Sequence, residues 1–150
     1  QHVSSFEARQ AANSMWALAK LSALVPDLML QHQASVSSLT HQLADRMQAC
    51  AGGATPQELS NALYAAAVLG MAPSEAWTSQ LFSSCSQHWS NFTPQELANM
   101  VWAIGKLSHS CPWLLHSAGA AAWLQALLQS QRPWLQQSTP QELSNSCWGI

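Results

Sequence analysis

Between Leu97 and Leu107 the chain runs Leu-Ala-Asn-Met-Val-Trp-Ala-Ile-Gly-Lys-Leu, with apolar residues recurring every three or four positions. At about 100° per residue this places Leu97, Val101, Ile104 and Ser108 on one face, flanked by Met100 and Leu107. Few β-branched residues interrupt the run, so helix is favoured over strand. The stretch before it is a helix start: Thr93 in the N-cap position, Pro94 at the first helical position, and Glu96 placed to close a capping box.

The same start recurs. Thr55-Pro-Gln-Glu-Leu-Ser-Asn61, Thr93-Pro-Gln-Glu-Leu-Ala-Asn99 and Thr139-Pro-Gln-Glu-Leu-Ser-Asn145 differ only in their sixth residue, and a degenerate copy, Glu7-Ala-Arg-Gln-Ala-Ala-Asn13, precedes them. The four Asn are 48, 38 and 46 residues apart, which suggests a basic period of about 38 with insertions in the first and third units. Pro26, Pro73 and Pro112 fall 13, 12 and 13 residues after their Asn and are expected to stop each first helix. Second helices are expected over about Ala34 to Cys50, Ser74 to His88, and Trp113 to Gln131 with a break at Gly119. Their apolar spacing is helical, as in Val36, Leu39, Leu43 and Met47. One hairpin cannot bury both of its apolar faces, so neighbours must stack. The expected fold is therefore all-α: a right-handed α-solenoid of stacked antiparallel helical hairpins. It would form a single segment, 1–150, of a longer protein, with units at about 6–53, 54–91, 92–137 and a truncated 138–150.

Opposite the apolar face, each first helix carries a polar and aromatic stripe. It comprises Arg9, Asn13, Trp16 and Lys20 in the first unit, and Gln57, Asn61 and Tyr64 in the second. The third unit contributes Gln95, Asn99, Trp102 and Lys106, and the last Gln141, Asn145 and Trp148. A single strand of RNA needs such groups: cations for phosphate, flat rings for stacking, and amides for base edges. These residues are the candidate RNA-binding positions. An alternative is open for each: the aromatic as a wedge between adjacent first helices, the Asn as a rung bonded to backbone or to its neighbour. Positions beside the Asn vary between units, and Ser14, Ser60, Ala62, Met100, Ser144 and Ser146 are candidates for telling bases apart, or else for tuning helix spacing. Glu58, Glu96 and Glu142 are read as capping residues.

Composition limits these readings. Only 8% of residues are charged and the formal net charge is -2, so overall charge gives no attraction to phosphate. Three of the five basic residues, Arg9, Lys20 and Lys106, nonetheless fall on the stripe. The cysteines Cys50, Cys85, Cys111 and Cys147 are tens of residues apart, without a C-x-x-C pair, and the six His show no H-E-x-x-H. No metal, cofactor or small-molecule substrate is expected, and the cysteines are read as reduced fillers. No apolar run reaches the roughly 20 residues of a membrane helix. Gly52-Gly53 is a turn rather than a phosphate loop, and no activated nucleophile is evident, so the segment is not expected to be an enzyme.

The units resemble octotricopeptide repeats, helical-hairpin repeats of green-algal organelle proteins. The likeness is carried by Pro94 to Leu107, matching Pro-x-Glu-Leu-x-Asn-x-x-Trp-Ala-x-x-Lys-Leu, and by Asn-Ser-Met-Trp-Ala-Leu-Ala-Lys-Leu at Asn13 to Leu21. Departures are Tyr64 and Val68 in place of Trp and Lys, and the missing Thr-Pro start of the first unit. The resemblance implies a nucleus-encoded factor acting on chloroplast or mitochondrial transcripts in their stability, splicing or translation. Single-stranded RNA, selected by sequence, would be its ligand, with other protein factors as further partners. The alternative from a different class is a protein-protein interaction scaffold that uses the solenoid face.

Overall fold

The computed structural model describes the backbone of residues 3–148, and the side chains of these except 127, 128, 130–137 and 145–148. Among the described residues all regular structure is helical. The helices are α1 (Ala8–Leu24), α2 (Pro26–Gln31), α3 (Gln33–Cys50), α4 (Pro56–Val68), α5 (Glu75–Gln87), α6 (Pro94–Ser110), α7 (Ala118–Gln137) and α8 (Pro140–Trp148). Short 3-10 turns at Val3–Ser5, Ala51–Gly53, Trp89–Asn91 and Pro112–His116 join them. None of these helices is long and apolar enough to cross a membrane.

The repeated motif starts its helices as the residue types require. Thr93 N–H donates to Glu96 Oε2 at 2.8 Å while Glu96 N–H donates to Thr93 Oγ1 at 3.3 Å. Thr55 with Glu58, and Thr139 with Glu142, repeat the exchange. Each box supplies partners to N–H groups that the first turn of a helix otherwise leaves open. In the first unit, which lacks Thr and Pro, Glu7 and Gln10 stand in the capping-box positions, and Gln10 Oε1 accepts from Glu7 N–H at 2.8 Å.

Helix ends follow the prolines in two units. α1 stops at Leu24 before Pro26, and α6 at Ser110 before Pro112. The second unit corrects the expectation that Pro73 ends its helix. α4 ends at Val68, where Gly70 adopts φ 65°, Met71 N–H reaches Ala66 O at 3.0 Å and Gly70 N–H reaches Ala67 O at 3.3 Å. That is the paired hydrogen-bond pattern of a Schellman stop, for which glycine carries no steric cost. In the third unit the break falls at Ser117, whose Oγ accepts from Ala120 N–H at 3.3 Å, rather than at Gly119. The hydroxyl makes Ser117 the N-cap of α7, and Gly119 lies inside the helix against Phe82.

Contacts between elements arrange the helices in two rows. α1 packs on α4, α4 on α6 and α6 on α8, while α3 packs on α5 and α5 on α7. The first row meets through small residues: Ala12, Ala62, Ala65, Ala66, Ala98 and Ala103 are all buried. Such side chains let neighbouring helix backbones approach closely. Larger groups fill the space between the rows, among them Met15, Leu43, Leu59, Leu63 and Ile104. Trp77, buried in α5, donates its Nε1–H to Ala44 O of α3 at 2.9 Å, which ties the second row together. Trp123 packs against Phe82 and meets Trp89 edge-on, with ring centroids 6.0 and 5.5 Å away. The insertion of the first unit forms α2, which is solvent-exposed except for the half-buried Met29.

Cys50, Cys85 and Cys111 are free thiols. Burial pushes the Cys85 thiol up from 9.0 to about 12, against a smaller opposing backbone hydrogen bond. Between these values the native state holds a proton that the unfolded chain has released. The stability due to Cys85 is therefore complete below about pH 9 and is lost as pH rises toward 12, by up to about 1.4 kcal/mol per pH unit. Urea melts at pH 8 and pH 10 should show a larger loss for the native sequence than for Cys85→Ala; equal losses would refute this assignment.

Candidate functional site

The stripe of the first helices lies along one side of the row. Asn13 and Trp16 of α1, Gln57 and Asn61 of α4, and Thr93, Gln95, Glu96 and Asn99 at and in α6 together line a cavity of about 320 Å³. A second cavity of about 350 Å³ adjoins it toward the helix starts and shares Asn13, Gln57 and Glu96. The two make a continuous groove across three helices. Their volumes sit at the lower end of the roughly 300–1,000 Å³ range of ligand pockets.

The recurring Asn do not form rungs. Among the described residues the side chains of Asn13, Asn61 and Asn99 make no hydrogen bond, and neither do those of Gln57 and Gln95. Their amides therefore turn both donors and acceptors toward the groove. The aromatics combine the two readings left open for them. Tyr64 and Trp102, both half-buried, touch across the α4–α6 boundary with ring centroids 5.1 Å apart and planes tilted by 36°. Trp16 is 41% exposed at the edge of the row. Lys20 Nζ lies 5.2 Å from the Trp16 ring centroid and 6.0 Å from that of Tyr64, so the rings hold a cation between them. A line of Trp16, Lys20, Tyr64 and Trp102 results, bordering the groove.

Arg9 lines the second cavity beside Asn13 and Gln57, and it is paired there. Its Nε lies 3.6 Å from Glu58 Oε1, so the guanidinium leans on the capping carboxylate of the next helix. With the Arg9 side chain 78% exposed, this pair adds little stability. It does redirect the charge. Lys20 and Lys106 are then the stripe cations without an ion pair among the described residues.

Three candidates for base discrimination are corrected by burial. Ser60, Ala62 and Met100 are buried between first helices, and Ser60 Oγ donates to Glu96 O at 3.1 Å. A position one residue from the Asn turns about 100° away from it, and in a row of helices that direction points at a neighbour. Ser14 is half-buried on α1 and Ser144 is exposed on α8, while the side chains of Asn145, Ser146 and Trp148 lie outside the described residues. Gln141 is exposed on the first turn of α8. Sequence reasoning passed over Glu96 as a groove residue, because its capping role accounts for only one of its two oxygens.

The family model described as Tbc2 translation factor, N-terminal domain, matches residues 25–150. The chain belongs to this Tbc2 N-terminal domain family. The match to the Tbc2 N-terminal domain takes in α2 through α8, and so most of the groove, whereas Asn13, Trp16 and Lys20 of α1 precede it. Neither a curated protein nor a solved structure matches the chain.

Proposed function

We propose that the row α1, α4, α6 and α8 is the binding face of a sequence-selective, non-catalytic module for single-stranded RNA. The observation that carries the proposal is the groove itself, in which unpaired amides stand beside the line of Trp16, Lys20, Tyr64 and Trp102. Rings offer stacking surface worth roughly 1–3 kcal/mol per base, and the amides match base edges, which an unpaired strand leaves accessible. Membership in a family named for a translation factor supports the same ligand class. The two helical rows support the octotricopeptide likeness, with hairpins of about 38 residues in a right-handed α-solenoid. Under that reading the parent protein works in a chloroplast or mitochondrion on the stability, splicing or translation of a transcript.

The test is binding of the purified chain to labelled single-stranded RNA over a salt series. Two lysine contacts predict that log K falls with log salt at a slope of about -1.4. Absence of binding even at low salt would overturn the proposal. A protein-binding scaffold has its own supporting observation: Leu21, Leu24, Leu28 and Leu30 are exposed around the end of α1 and in α2. Binding of a protein partner there, with no RNA binding, would favour that second reading.

A further inference from the structure

We infer that Glu96 makes the pocket between α4 and α6 selective for a base carrying an exocyclic amino group, and disfavours uracil there. The inference rests on the RNA reading of the groove. Glu96 lines both cavities, with one oxygen fixed on Thr93 N–H. Its other oxygen has no hydrogen bond or ion pair among the described residues. The equivalent oxygen of Glu58 is occupied by Arg9. The difference arises one unit back in the stripe: Arg9 precedes Glu58, whereas the matching residue before Glu96 is the neutral Gln57. A constant motif thus presents a different group to the groove in each unit.

A carboxylate oxygen accepts hydrogen bonds and donates none. Beside Asn61, Asn99, Gln57 and Gln95 it suits the amino group of cytosine or adenine, and it opposes the carbonyl oxygen that uracil has in the same place. It also repels phosphate, so it orients the strand. Lys106 lies seven residues beyond Asn99 on the same helix, about 10 Å along the axis. Phosphates are drawn to the lysine side, leaving base edges to enter between the amides and Glu96. Ser60, donating to Glu96 O, fixes the first turn of α6 against α4 and keeps this carboxylate at the groove.

The experiment compares binding of the chain to two oligoribonucleotides, ten cytidines and ten uridines, before and after Glu96→Gln. The substitution retains the helix start, because Gln10 already shows how an amide serves there: its oxygen takes the cap N–H. The –NH2 group is then left facing outward, so a donor replaces an acceptor in the pocket. The native chain should prefer the cytidine oligomer by about tenfold. Glu96→Gln, with unchanged helical circular dichroism and melting temperature, should abolish or reverse that preference. Equal binding of the two oligomers by the native chain would overturn the inference while leaving the RNA reading intact. So would a cytidine preference that persists in the variant. Binding to neither oligomer would remove the RNA reading and this inference with it.

Discussion

Replacing Lys20 and Lys106 together by glutamate should weaken single-stranded RNA binding by about a hundredfold at low salt, with the salt slope reduced by about 1.4. Both lysines are exposed on the stripe, and neither pairs with an acid among the described residues. The loss of Lys106 should therefore cost little folding free energy, within about 0.5 kcal/mol for such a surface change, and that of Lys20 no more than about 1 kcal/mol. Lys20 carries a second consequence. Reversing its charge removes the cation held between Trp16 and Tyr64, so the rings lose a contact of roughly 0.5–1 kcal/mol and Trp16 becomes freer. Fluorescence anisotropy with labelled RNA at several salt concentrations measures the affinity, and thermal melts establish that folding is intact. Unchanged affinity and slope in a folded double variant would show that this stripe does not hold RNA. An apolar partner on the leucines of α2 should be indifferent to both changes.

Leu59→Ala should destabilise the fold by about 2–5 kcal/mol, the range for removing a fully buried leucine. Leu59 has no exposed surface, and α4 stands between α1 and α6 in the first row. In stacked repeats stability is close to a sum of unit and nearest-neighbour terms. A lesion in a middle helix weakens both of its interfaces at once. Urea denaturation should show a lower midpoint and, if the halves separate, a second transition. Leu28→Ala on the exposed α2 is the comparison, expected within about 0.5 kcal/mol of the native value. Equal effects of the two substitutions would contradict the burial assigned to α4.

Much of the helical pattern was legible because Thr, Pro and Glu act locally. The capping hydrogen bond of Glu96 to Thr93 is closed within four residues and owes nothing to distant parts of the chain. The end of α4 was misplaced by reasoning from proline, since the signal was Gly70 and its stop depends on which carbonyls remain open. The stripe was legible as one face of a helix, as the joint lining by Asn13, Asn61 and Asn99 shows. The direction of its neighbours was not. A single-helix wheel knows nothing of helices on either side, so Ser60, Ala62 and Met100, offered as positions for telling bases apart, are buried instead. Arg9 is a similar case: its partner Glu58 is 49 positions away in the chain and becomes adjacent only when α1 packs on α4.

The arrangement of α2 separates two lengths that a repeat sequence invites one to equate. Between Asn13 and Asn61 the chain runs 48 residues, between Asn61 and Asn99 only 38, yet α1 meets α4 as α4 meets α6. The surplus is spooled into an exposed side helix, away from the row. Chain length per unit can thus drift while the stride of the groove is kept by the alanines between first helices. Trimming or extending the loop around α2 should leave the spacing of the amides untouched, whereas enlarging Ala62 or Ala98 should alter the stride itself.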